Sequence, residues 1–144
     1  MCIRDSEEAF SDFTELSSKN DNCLIVGDDL FVTNTSILQK GIDQNAGNAV
    51  ILKVNQAGAL GDAMEFANSC NQNNYAIIAS HRSGDTVDPH LAHIAIGSGS
   101  VMMKSGVVGG ERISKLNELL RIEETNFINN NMSMPIARVK KYVN

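Results

Sequence analysis

The chain has 144 residues, 42% of them hydrophobic and 20% charged, which suits one domain with a real core and excludes wholesale disorder. A net charge of −5, with no basic run ahead of the C-terminal RVKK, makes nucleic acid and anionic membrane poor partners. No apolar run approaches the roughly 18 residues that a membrane helix needs, and MCIRDSEEAF has no signal-peptide apolar region.

A helical pattern, SEEAFSDFTELSSK (6–19), comes first. CLIVG (23–27) then reads as a strand: it is too short for a helix, carries β-branched residues and is apolar on both faces. TSILQKGIDQNA (35–46) places Ile37, Leu38 and Ile42 near one helical face, with Asn34 or Thr35 as its cap. AVILK (49–53) is a second strand, and GALGDAMEFANSCNQ (58–72) a helix with Leu60, Ala63, Met64, Ala67 and Cys70 at helical spacing. YAIIA (75–79) is a third strand. PHLAHIAIGSG (89–99) begins a helix on Pro89, with Asp88 as cap. SVMMK (100–104) is the fourth strand, and GERISKLNELLRIEE (110–124) a helix with Ile113, Leu116, Leu119, Leu120 and Glu123 in a 3-4 pattern. From Asn126 the periodicity is lost, so the asparagine run reads as a loop or frayed end and RVKK as a solvated basic end.

The order is one helix, then strand and helix four times. Strands buried on both faces belong to parallel sheets. Repeated βα units build either a doubly wound sheet or a (β/α)₈ barrel. Four units would be half of a barrel, since a complete one needs about 250 residues. Cys2, Cys23 and Cys70 are odd in number and lack metal-ligand spacing, which reads as reduced thiols in a cytoplasmic protein.

Barrel chemistry gathers where strands give way to the loops that follow. Those exits here are Asp28-Asp29, Lys53, Ser80-His81-Arg82-Ser83 and Lys104, all polar and most charged. Asp28 suits a hard cation such as Mg²⁺. Arg82 forks onto phosphate, and Ser83 donates beside it. Lys53 and Lys104 end strands on either side of the Ser-His-Arg-Ser strand. Ammonium groups sharing one pocket disfavour each other's charge, and a lysine poised to be neutral takes a proton from carbon. A phosphorylated carbon acid is the substrate that such a site suggests. Blander readings stand beside these. Asp28 alone caps a turn, Asp29 supports the loop, and both lysines snorkel to solvent. His81, with no second His or Cys near it, makes a loop hydrogen bond or touches substrate. His90 and His93 belong to surface or packing. The glycines of VVGGER lack the rest of a phosphate-loop motif.

VGDDLFVTN (26–34), ILKVNQAGAL (51–60), SHRSGDTVD (80–88), MKSG (103–106) and ERISKLNELLRIEE (111–124) resemble enolase, the phosphopyruvate hydratase family. The resemblance runs from Leu24 to Glu124, and its last block looks most like the archaeal branch. It implies an α/β fold: the C-terminal half of a TIM-type (β/α)₈ barrel, four βα units preceded by one helix. It implies dehydration of 2-phosphoglycerate to phosphoenolpyruvate, a hydro-lyase step of glycolysis and gluconeogenesis, in a cytoplasmic homodimer or octamer. Asp28 matches the last of three carboxylate ligands to Mg²⁺ and also lies against substrate. Lys53 matches the base that takes the proton from carbon 2. Ser80, His81, Arg82 and Ser83 match the loop that holds the substrate and its phosphate. Lys104 matches the lysine on the substrate carboxylate. A lysine base beside Mg²⁺ comes with the superfamily.

The sequence departs from the family pattern in places. Asp85 and Val87 stand where glutamates are usual, Ala92-His93 where alanine-aspartate is, and NQAGA where NQIGT is. The other two metal carboxylates, the paired glutamates with the acid that expels hydroxide, and the N-terminal domain have no counterpart here. The expectation is a non-native start at residues 1–6, a partial barrel domain over 7–126, a tail over 127–144, and a fragment inactive by itself. Two alternatives remain. One is a non-catalytic half-barrel binding module, with two unpaired sheet edges and an open apolar face. The other is a superfamily member acting on another carbon acid.

Overall fold

The computed structural model describes residues 9–20 and 22–130, together with 133, 134, 137 and 139. The expectations for residues 1–6, and for most of the tail from 131 onward, lie outside these.

Four strands form one parallel sheet in the order β1 (Val26–Gly27), β2 (Ala49–Leu52), β3 (Ala76–Ser80), β4 (Met102–Lys104). Each strand lies beside its sequence neighbour. A doubly wound sheet would reverse that order at a switch point, so the winding is that of a barrel. The helices are α1 (Phe10–Lys19), α2 (Thr35–Asp43), α3 (Val54–Ala57), α4 (Leu60–Gln72), α5 (His90–Gly97) and α6 (Gly110–Asn130).

Local chemistry sets the helix starts. Asn34 caps α2, its side-chain oxygen accepting from the amides of Ser36 and Ile37 at 2.9 and 3.1 Å. Asp88 accepts from the His90 amide at 2.8 Å and so serves α5 from just ahead of Pro89. The single turn α3, absent from the sequence reading, follows Lys53 directly and stops at Gly58, whose φ of 88° suits glycine. The last helix corrects an expectation. It continues through Asn126 to Asn130, where a loop was expected. No glycine or proline interrupts 111–130, and asparagine is only mildly unfavourable in a helix.

Strand side chains alternate between two faces. Val50, Leu52 and Ile77 join the larger core, which includes Phe13, Leu38, Phe66, Ala67 and Cys70 from the helices. Val26, Ala49, Ile51, Ala76 and Ile78 form a second cluster on the other face, with Leu24 and Val101 against it. The open apolar face expected for four strands is not found in this cluster. Its members are at most 6% exposed. The exposed large apolar residues include Met102, the edge-strand partner of Ile78 on this face, and, away from it, Val107, Val108, Leu120, Phe127 and Ile128.

One aromatic residue sets the height of the first strand exit. The Phe31 ring is fully buried between β1 and α2. A Cβ on Gly27 would lie 2.5 Å from that ring and one on Gly41 2.4 Å from it, so both glycines exist to admit it. Phe10 and Tyr75 meet its ring edge-on, with centroids 6.3 and 6.0 Å away.

Candidate active site

The register brings the strand exits together. Ser80 pairs with Lys104, and Leu52 with Ala79, so Lys53 follows opposite Ser80. Asp28, Lys53 and Ser80 each stand two residues beyond a member of the second cluster: Val26, Ile51 and Ile78. Lys104 stands two beyond Met102, the partner of Ile78. Alternation therefore sets all four on the face away from the helical core, at the C-terminal ends of the strands.

Two of them meet. The Lys53 Nζ lies 2.5 Å from Asp28 Oδ1, with the side chains only 13% and 11% exposed. The Lys53 amide donates to Thr33 Oγ1 at 3.0 Å. Thr33 is buried, and its hydroxyl has two acceptors in reach, the Ile51 carbonyl at 3.4 Å and Gln56 Oε1 at 3.3 Å. The backbone that brings Thr33 there is strained. Val32 and Thr33 have φ of 41° and 52°, a region that β-branched residues avoid. The Asp28 carbonyl holds the turn by accepting from the amides of Phe31 and Val32, both at 3.2 Å.

The other exits are open. Arg82, Ser83 and Lys104 are exposed. Ser80 is buried, and its hydroxyl donates to the His81 carbonyl at 2.9 Å. His81 makes the loop hydrogen bond expected of it: Nδ1 lies 2.9 Å from the Arg82 carbonyl. A carbonyl only accepts, so Nδ1 carries the proton and Nε2 is left to other partners. The His81 amide donates to the Lys104 carbonyl at 3.2 Å and extends the β3–β4 pairing.

The expected opposition of two ammonium groups is replaced by a different pairing. Lys53 faces the Asp28 carboxylate. Lys104 stands two strands away, roughly 10 Å at the usual strand spacing. A cavity of about 290 Å³ borders the loop at Ser80, His81, Arg82 and Asp85 and extends to Val54 and Lys115, without reaching Asp28 or Lys53.

The histidines of α5 bind locally. His90 Nδ1 contacts the Asp88 carboxylate, whose ionised form is favoured first by the His90 amide and then by that imidazole. His93 Nε2 lies 2.6 Å from Glu118 Oε1 and ties α5 to α6. The Arg121 guanidinium is the main reason that the Glu118 carboxyl is pushed down to about 2, with His93 adding to it. Cys23 and Cys70 are free thiols, and burial pushes Cys70 up to about 12, so it is inert in the fold.

Mg²⁺ demands near-octahedral oxygen coordination. Asp28 offers one carboxylate, already paired with Lys53. Among the described residues no group of three His, Cys, Asp or Glu stands close enough to hold a metal ion. These residues alone do not make the metal site. No helix among them is long and apolar enough to cross a membrane.

Thr33 and Lys115 were not among the expected site residues. In VTN, only the asparagine reads as a cap. A lysine inside an amphipathic helix reads as surface, yet Lys115 is 1% exposed, while Ile113 and Leu120 of the expected apolar stripe are 38% and 59% exposed.

Residues 2–133 match the family model for the enolase C-terminal TIM barrel domain. An enolase of Methanosphaera stadtmanae is 51% identical over 119 residues, 82% of this chain and 29% of that protein. The enolase of Natronomonas pharaonis is 50% identical over 81% of this chain and 30% of its own length. That of Archaeoglobus fulgidus is 49% identical over 82% and 29%. The chain thus spans about 29% of the length of the curated relatives it matches.

Proposed function

The chain belongs to the enolase family, and from that premise we propose that it is the C-terminal half-barrel part of a phosphopyruvate hydratase, a cytoplasmic hydro-lyase that converts 2-phospho-D-glycerate to phosphoenolpyruvate. The observation that carries this reading is the row of polar residues on one sheet face, with Lys53 and Asp28 paired at 2.5 Å and Ser80 and Lys104 in register beside them.

Each residue has a task in that reaction. Lys53, once neutral, takes the proton from carbon 2; until then Asp28 holds its ammonium in place. Thr33 fixes the Lys53 backbone, so the amine swings from a set origin. Arg82 forks onto the phosphate and Ser83 donates to it. His81 braces that loop through Nδ1 and presents Nε2 to the substrate. Lys104, on the same face, receives the substrate carboxylate. Fixed cations around a carbon acid stabilise the charge that develops as the proton leaves. A divalent cation, Mg²⁺ in this proposal, requires carboxylates beyond Asp28, and the acid that expels hydroxide is assigned to no residue of this chain. By itself the chain is therefore expected to be inactive.

The test uses the complete enzyme that carries this segment. Lys53→Ala should lower kcat by about 10²- to 10⁴-fold, the usual worth of a general base, while 2-phosphoglycerate still binds. Unchanged kcat refutes the assignment. The 144-residue chain with 2-phosphoglycerate and Mg²⁺ should form no phosphoenolpyruvate. Turnover above its own Lys53→Ala control refutes the expected inactivity.

A further inference from the structure

The loop that bears Arg82 and Ser83 has little apolar anchorage. Arg82, Ser83, Gly84, Thr86 and Val87 are exposed, and a Cβ on Gly84 would meet nothing within 4 Å. Its fixed point is polar and lies behind it. Lys115 of α6 is 1% exposed, and its Nζ contacts the Thr86 carbonyl at 2.5 Å, the Glu111 carbonyl at 2.6 Å and Asp85 Oδ2 at 3.1 Å. The ammonium donates to the two carbonyls and forms an ion pair with the Asp85 carboxylate. The other Asp85 oxygen, Oδ1, accepts from the Thr86 amide at 2.9 Å.

A buried ammonium is costly unless fully paired, and lysine is rarely buried at all. An apolar residue would cover α6 at lower cost. The lysine at this position does something that an apolar residue cannot: it grips one loop carboxylate and one loop carbonyl from the helix behind. The gripped residues follow Arg82 and Ser83 by two to four positions.

We propose that Lys115 is a positioning residue, a buried tether that fixes the loop of residues 80–88 to α6 and so presents Arg82 and Ser83 as a preset fork for an anion. The tether stands on contacts alone. Its use in substrate binding rests on the function proposed above.

Trypsin reads the tether without catalysis, because Arg82-Ser83 is a cleavage site within the loop. On the 144-residue chain, Lys115→Met should speed cleavage after Arg82 by about tenfold, as local opening exposes the bond. Amide exchange in β2 and β3 should stay as in the wild type. Asp85→Asn, which keeps the loop polar and removes one contact, should give a smaller increase. Unchanged cleavage in both variants overturns the tether. So does a loss of protection shared equally by loop and strands, since Lys115 would then merely hold the fold. If Lys115→Met fails to fold, unchanged cleavage in Asp85→Asn overturns it. Inorganic phosphate separates the two readings. It should slow cleavage after Arg82 in the wild type and do so only at about tenfold higher concentration in Lys115→Met, a misplaced fork binding more weakly. Failure to protect the wild type refutes the anion fork of the functional proposal and leaves the tether to the cleavage rates.

Discussion

The two halves of the strand-end row are built differently. On the β1–β2 side, Asp28 and Lys53 are paired and mostly buried, and Thr33 holds the Lys53 backbone from beneath. On the β3–β4 side, Arg82, Ser83 and Lys104 are exposed, and the loop of Arg82 and Ser83 is held at its start by the His81 amide on the Lys104 carbonyl and at its rear by Lys115. The first half is preset by its own core. The second is an open surface whose loop is gripped from behind by one remote residue, Lys115. That division suits a site in which proton removal needs a fixed origin while a phosphate must enter and leave. It also predicts that substitutions in the two halves differ in kind: loss of stability in the first, loss of local order in the second.

The largest effect is expected from breaking the first half at its base. Phe31→Ala empties the slot that Gly27 and Gly41 leave for the ring and should cost about 3–5 kcal/mol by chemical denaturation. A loss under about 1 kcal/mol would mean that the slot collapses freely, and that the ring does not set the height of the Asp28 exit.

A smaller effect sharpens the contrast. Thr33→Val keeps the branched shape but leaves the Lys53 amide without its acceptor, a loss of about 1–3 kcal/mol if the amide stays dry. Thr33→Ser keeps the hydroxyl and should stay much closer to the wild type. On the open side, Ser83→Ala should fall within about 0.5 kcal/mol, as exposed substitutions do. Equal losses from Thr33→Val and Ser83→Ala would erase the distinction between the halves.

Much of this was legible before any coordinates. Strand exits show in a sequence because an apolar run must end, and Asp28, Lys53, Ser80 and Lys104 each end one. Period-two alternation then sets them on one face. Their pairing was not legible. The contact of Asp28 with Lys53 crosses 25 positions of sequence, and the expected conflict between two lysines gave way to a carboxylate that happened to be nearer. Thr33 was hidden for a local reason: nothing in VTN announces a left-handed backbone at two β-branched residues. Lys115 was hidden because burial of a lysine depends on acceptors from another element, here the loop after β3. The end of α6 was misread because a missing apolar stripe says where burial stops, while a helix runs on until something breaks it.

The smallest expected effect probes how the open half is braced from outside. Glu118 sits between His93 of α5 and Arg121 of its own helix, at 2.6 and 2.5 Å. Its carboxyl is pushed down to about 2 from an ordinary value of 4.5, first by Arg121. A depressed carboxyl stabilises the fold above its unfolded value and loses that contribution as pH falls through its folded value. The window is therefore about pH 4.5 down to about 2. Exposed pairs are weak and salt-screened, so the thermal midpoint of Glu118→Gln should fall only slightly below the wild type at pH 6 and low salt. The gap should narrow through that window and close near pH 2. Cleavage after Arg82 should not change with it, because Lys115 grips the loop without Glu118. A gap that persists at pH 2 would mean that shape at the α5–α6 contact, not charge, carries the contribution. Faster loop cleavage in Glu118→Gln would mean that the brace and the tether are one device.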